Sequence, residues 1–211
     1  MPTLHPRPFA RDHRRAPKPV SALYVERDGI YSEMRGVIPW DVERAASRYS
    51  GPYPVVAHPP CGPWGTLRGL CKKQNKELAR IAVSQVRRWG GILEHPAGSL
   101  LWKDQRMWGP GEFTDRYGGW PLQVDQVRWG HPARKRTWLY MVGIDRMTAL
   151  DLPPPREATH VVTSTQRGEG FKPQLWSDDA RKTPPDFAWW LVDLAATVDR
   201  EAHREKVAPF F

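Results

Sequence analysis

The chain has 211 residues, enough for one domain with a sizeable core, and carries 32 Lys and Arg against 23 Asp and Glu, a formal net charge of +9. That balance favours a polyanionic partner, DNA or a nucleotide, over a surface made basic only for solubility. Two cysteines make no disulfide framework and no Cys-based metal site, and no stretch approaches the roughly 18 apolar residues of a membrane span, so a reducing, cytoplasmic setting is expected.

Residues 1–19 are rich in proline, arginine and histidine without apolar periodicity; they predict a flexible basic arm rather than a signal peptide, ahead of a single domain over 20–211. Ala22 to Val25 predicts a first strand, followed by the turn Glu26-Arg27-Asp28-Gly29. Val37 to Trp40 predicts a second strand, and Asp41 to Tyr49 a helix with Asp41 as N-cap. Pro54 to Ala57 predicts a buried third strand, which Pro59 and Pro60 stop because proline lacks a ladder donor. Lys76 to Trp89 carries Leu78, Ile81, Ala82, Val86 and Trp89 on one helical face and ends at Gly90-Gly91. Ile92 to Glu94 predicts a short strand stopped by Pro96; residues 98–121 read as a long loop. Gln123 to Arg128 and Thr137 to Gly143 predict two more strands. After the break at Pro153-Pro154-Pro155 and an irregular stretch 156–182, Thr183 caps a final helix with Phe187, Trp190, Leu191, Leu194 and Val198 as its apolar stripe. Strands alternating with helices argue for an α/β fold, a mostly parallel sheet flanked by helices.

Three features of this chain carry chemistry. Cys61 follows a strand on a proline-stiffened loop, with Gly62 and Gly65 after it, which suits a nucleophile at the carboxyl end of a sheet. Cys71 reads instead as an inert thiol. Glu94, followed by His95 and Pro96, also stands at a strand end, and Arg134-Lys135-Arg136 precedes the last strand, where three cations lean toward anion binding. Lys72 and Lys73 extend the basic character beyond Cys61, while His58 and His95 flank the two strand ends and can touch substrate or tune the thiol.

In this order and context Pro60-Cys61, Glu94-His95-Pro96 and Gly130-x-Pro132-x-Arg134-x-Arg136, running into a strand that ends Val142-Gly143, resemble the motifs of the cytosine-5 DNA methyltransferases, most closely the small methyltransferase-like proteins of phages. The resemblance covers about residues 22–145. It implies a Rossmann-like methyltransferase fold with Cys61, Glu94, Arg134 and Arg136 as catalytic residues. It also implies S-adenosylmethionine as cofactor, bound along Tyr24, Asp28, Asp41, Glu43 and Pro59. The sequence departs from the family at Ala133, at His95 where the family has Asn, and in the segment Leu23 to Tyr31, where only Gly29 stands in place of a glycine-rich loop.

The implied chemistry is covalent catalysis: a thiolate adding to pyrimidine carbon 6 makes carbon 5 enamine-like and nucleophilic. A carboxyl group reads the N3 and amino edge, and guanidinium groups hold the base carbonyl or a phosphate. In duplex DNA the base is flipped out to reach the thiol. Two other readings fit the same residues: a pyrimidine nucleotide modifier of the thymidylate synthase or hydroxymethylase kind, and an inactive nucleic-acid-binding homologue with an accessory or anti-defence role.

Overall fold

A computed structural model describes residues 18–41, 44–65, 68–71, 75–107, 109, 111, 113–162 and 172–211. The arm up to residue 17 and three of the candidate residues, Glu43, Lys72 and Lys73, lie outside the described residues.

The apolar runs read from the sequence become the strands of one sheet: β1 (Val20–Leu23), β2 (Val37–Trp40), β3 (Val55–Ala57), β4 (Gly91–Pro96), β5 (Gly119–Asp125) and β6 (Arg136–Val142). Their order across the sheet is β2-β1-β3-β4-β6-β5. The first four are parallel, and β6 runs antiparallel between β4 and β5. The chain leaves β1 for β2 on one side, then crosses to β3 on the other. The carboxyl ends of β1 and β3 therefore diverge into a crevice, the place where open α/β sheets take ligands.

Helices cover both faces. On one, α1 (Glu77–Trp89) packs Ala79, Ala82, Val83 and Val86 against Leu23, Val55, Ala57, Leu93, Tyr140 and Val142, with Trp64 and Trp102 closing the layer. On the other, α5 (Pro185–Ala195) packs Phe187, Leu191 and Leu194 against Ala22, Val56, Ile92, Leu139 and Met141. Successive strand residues point to opposite faces, so each buried strand feeds both layers. The shorter helices are α2 (Leu101–Asp104), α3 (Arg146–Leu150), α4 (Ser177–Arg181) and α6 (Arg200–Val207). Among the described residues no helix is long and apolar enough to cross a membrane. The turn from α1 into β4 needs glycine: Gly91 has φ +116° and a Cβ there would lie 2.0 Å from the Val55 carbonyl oxygen.

Several elements differ from expectation for identifiable reasons. β1 begins two residues before the predicted strand and ends at Leu23. Among the described residues, the segment after β2 forms a 3₁₀ turn at Ala46–Arg48 where a helix over 41–49 was expected. Ala45 takes φ +51°, in the left-handed region that interrupts a helical ladder, while Asp41 caps the Arg44 N–H at 2.7 Å and the Ala46 carbonyl accepts from both Tyr49 N–H at 3.1 Å and Gln85 Nε2 at 2.7 Å. β5 starts at Gly119, inside the expected loop; it is an edge strand, and so tolerates Pro121. Residues 126–128, expected as strand, wind with Trp129 into a 3₁₀ turn capped by Asp125. Thr183 does not cap α5, whose N-cap position is Pro184. The final stripe is split, because Asp199 accepts from the N–H groups of Glu201 and Ala202 and starts α6.

Candidate active site at the ends of β3 and β4

The loop after β3 is clamped at both ends. The His58 N–H continues the sheet to the Leu23 carbonyl at 3.0 Å, and Trp64, 2% exposed, sinks into the α1 layer. Between them the Cys61 carbonyl accepts from the N–H groups of Trp64 and Gly65, both at 3.0 Å, so the loop folds back and leaves Cys61 exposed. Cys71 packs over Gly62, where a Cβ would come within 2.7 Å of its Sγ.

Strand alternation decides what faces what. Glu94 pairs in register with Leu139 and Pro96 with Thr137, so Glu94 and Thr137 share the α5 face of the sheet. Counting back along β6 by the same alternation, Lys135 belongs to this face, while Arg134 and Arg136 belong with Trp138 to the other. The side chains follow that count. Glu94 Oε2 lies 3.0 Å from His58 Nδ1, and Glu94 Oε1 accepts from Gln126 Nε2 at 3.2 Å, which in turn donates to Thr137 Oγ1 at 2.9 Å. His58 Nε2 lies 2.6 Å from the Tyr31 hydroxyl. Tyr31, His58, Glu94, Gln126 and Thr137 thus form one continuous hydrogen-bonded relay across the strand ends.

Burial acts on Glu94 to raise its pKa, but the hydrogen bond and charge of His58, with Lys135 beyond, outweigh it and hold the carboxyl down at about 2. With Glu94 ionised, His58 donates to it from Nδ1; Tyr31, whose pKa is driven well above the usual phenol range by burial and by the Glu94 charge, keeps its proton beside His58 Nε2. At 13% and 14% side-chain exposure, His58 and Glu94 are fixed yet still reachable from the crevice.

Lys135 reaches inward. Its ammonium donates to the carbonyls of Arg181 and Lys182 at 3.0 and 3.1 Å, tying the end of α4 to the site. Burial lowers its pKa, against the opposing charges of Glu94 and Cys61. Although Cys61 is exposed as a residue, the protein packed around its thiol, and then Glu94, push the pKa up, while Lys135 and Arg181 pull it down. At neutral pH it therefore rests as the thiol, with two cations placed to favour the thiolate.

The other candidates take different places. Arg134 pairs with Asp125 at 3.1 Å, its side chain 66% exposed. Arg136 is exposed on the α1 side of the sheet, beside Trp138 and Gln123. His95 is fully buried, edge-on to Trp102 at 6.0 Å and 84°. Burial lowers its pKa to about 4, against the pull of Glu94 and the Pro60 carbonyl, and neither ring nitrogen makes a well-aligned hydrogen bond with a described residue. It props the Pro60 loop rather than facing substrate. Tyr31, Gln126 and Thr137 were not singled out in the sequence. Thr137 was findable from the parity of β6; Tyr31 and Gln126 sit in 3₁₀ turns with no local signal.

The candidate cofactor residues read from the sequence lie around the crevice between β1 and β3, where open α/β sheets take ligands. Tyr24 takes φ +61° at the end of β1, a strained position for a bulky residue, and its hydroxyl donates to Gln85 at 3.0 Å. Asp41 is engaged by the Arg44 N–H, Asp28 is exposed in the turn, and Pro59 is buried beneath the Cys61 loop. Gly29 is closed over by the Glu26 backbone, with a Cβ there only 3.1 Å from the Glu26 carbonyl oxygen. These residues do not build a glycine cradle in which backbone could approach the methionine part of S-adenosylmethionine. The sequence matches no protein-family model and no curated protein.

Proposed function

We propose that this chain modifies carbon 5 of a pyrimidine, chiefly cytosine in DNA, through Cys61 attack on carbon 6, on a Rossmann-like sheet of the methyltransferase kind. The observation that carries the reading is the Glu94 carboxylate, locked by His58 and Gln126 within electrostatic reach of Cys61 and Lys135. An ionised carboxylate only accepts hydrogen bonds. At carbon 4 cytosine offers an amino donor where thymine and uracil offer an acceptor, so a Glu94 oxygen set against carbon 4 favours cytosine, whereas one set against N3 favours uracil or thymine, whose N3 carries a proton. The crossover between β1 and β3 supports the Rossmann-like reading.

In the reaction, the Cys61 proton leaves and the thiolate forms a bond to carbon 6. The C5=C6 electron pair moves onto carbon 5, which takes an electrophile. The carbon 5 hydrogen then departs as a proton while the C6–S bond breaks, which restores the double bond and the thiolate. Lys135 and Arg181 stabilise the sulfur anion at both ends of this cycle. S-adenosylmethionine is the donor that the family resemblance implies; the turn after β1 does not fit it as a cradle, and no step is assigned to it.

The addition step is testable without any donor, because solvent can protonate carbon 5 in its place. DNA carrying [5-³H]cytosine is incubated with the protein, and release of tritium into water is measured. Release is expected, and it should vanish in Cys61→Ala. Release from deoxycytidine monophosphate but not from DNA would favour the nucleotide-modifying reading. The raised Cys61 pKa and the missing glycine cradle favour one further reading, a binding homologue without transfer activity, which predicts salt-sensitive DNA binding and no release.

A further inference from the structure

On the α1 side of the sheet, opposite Glu94, a groove of about 420 Å³ opens between the Cys61 loop and the ends of β4, β5 and β6. It is lined by Gly65, Pro96, Ala97, Gly98, Gln123, Arg136 and Trp138. Its size falls within the range of small-molecule sites. One wall is the loop that holds Cys61, since Gly65 donates to the Cys61 carbonyl. The opposite wall is rigid: Trp138 donates its indole N–H to Gln123 at 2.9 Å and lies against Trp102 with ring centroids 5.5 Å apart. The Arg136 backbone is fixed as well, its carbonyl accepting from Ala97 at 3.1 Å.

Arg136 and Arg134 project from the same side of the chain, but they are not equivalent. Arg134 is neutralised by Asp125, whose other oxygen accepts from the Lys135 N–H. The Arg136 guanidinium makes no ion pair or hydrogen bond to a described residue, since the oxygens of Asp125, its cross-strand partner, are taken by Arg134 and the Lys135 N–H; beside it, among the described residues, nothing lies within 4 Å of a Cβ built on Gly98. The groove thus combines an unneutralised, forked anion donor, an apolar aromatic wall and an amide, on a chain of net charge +9. A phosphate with its attached base meets all three, whereas an acidic peptide would leave the aromatic wall unused.

We propose that this groove holds the nucleotide that flanks the reacting pyrimidine on a single strand, its phosphate on Arg136 and its base or sugar against Trp138. This rests on the reading of Cys61 as a pyrimidine nucleophile. The strand then straddles β4, with the target base on the Glu94 face and its neighbour on the Trp138 face.

The test uses a short fluorescein-labelled oligodeoxyadenylate, which contains no pyrimidine and so reports the groove without Cys61 chemistry. Binding is followed by anisotropy across a salt series. Arg136→Ala should weaken binding several-fold and flatten the logarithmic salt slope by about 0.7, the contribution of one phosphate on a single strand. Arg136→Lys should restore the slope. Gly98→Phe, at a Cβ position with no described atom within 4 Å, should fill the groove and weaken binding about tenfold, as the loss of one stacked base does. Unchanged affinity and slope in Arg136→Ala, or unchanged affinity in Gly98→Phe, overturns the proposal. Tritium release from cytosine DNA with neither variant affecting oligodeoxyadenylate binding leaves the Cys61 reading and removes the groove. Arg136-dependent binding with no tritium release keeps the groove and removes the Cys61 reading.

Discussion

The buried imidazole of His95 makes a sharp prediction about pH. It is neutral in the fold, its pKa lowered from 6.5 to about 4 by burial, and it must take up a proton when the chain unfolds below pH 6.5. A group with a lowered folded pKa of this kind stabilises fully above its unfolded value, and the contribution is lost as pH falls from 6.5 toward 4. At pH 5 the unfolded ring is almost wholly charged and the buried one almost wholly neutral, which costs the folded state about 2 kcal/mol relative to pH 8. His95→Gln keeps a polar side chain of similar size and removes the titration. Urea unfolding of both proteins at several pH values between 8 and 5 isolates the effect, because His131 and His203, whose pKa values are also lowered by burial, are common to both. The variant should be the less pH-sensitive by about 2 kcal/mol over that range. Two parallel stability curves would refute the reasoning and show that His95 gains a proton-stabilising partner in the fold.

Two further outcomes follow from residues that position the site. Lys135→Met removes the cation that pulls hardest on the Cys61 thiol and the tether to α4; the pH profile of Cys61 alkylation by iodoacetamide should move upward, and an unmoved profile would show that Arg181 alone sets the thiol. Gly91→Ala forces a side chain against the Val55 backbone at a positive φ, so the β3–β4 pairing should lose at least about 3 kcal/mol in urea unfolding, and wild-type stability would contradict the close approach.

Much of the frame was legible in the residues. β2, β3 and β6 lie close to where their apolar runs predict, and α1 follows its stripe to within a residue at its start, because in each a strong period coincides with glycine or proline punctuation. The irregular elements were not. The 41–49 segment has helical composition, but Ala45 sits in the left-handed region at φ +51° and Gln85 of α1 anchors the Ala46 carbonyl from nearly forty residues away, a tertiary contact no local window contains. The site shows the same division. Cys61 was visible as a residue just beyond a strand; Glu94, expected to end one, lies inside β4, which continues through His95 to Pro96 because Pro96 still pairs with Thr137. The three cations at 134–136 looked like one cluster, yet the strand that follows sends Lys135 to one face and its neighbours to the other. A period of two, carried back two residues from Thr137, is enough to separate them. The partners that hold Glu94 were hidden because Tyr31 and Gln126 reach it only after the sheet has formed.

The relay from Tyr31 to Thr137 has a consequence for folding as well as for chemistry. It runs crosswise to the strands and joins residues 106 positions apart in the chain, so it exists only when β3, β4 and β6 are all in register. Such distant contacts form late and hold little by themselves. A ligand seated on Glu94 would therefore act as a cross-stitch through the sheet, raising the midpoint of unfolding by mass action as its concentration passes its dissociation constant. Thermal scans against a panel of nucleosides and nucleotides would then register occupancy of this site before any turnover is seen.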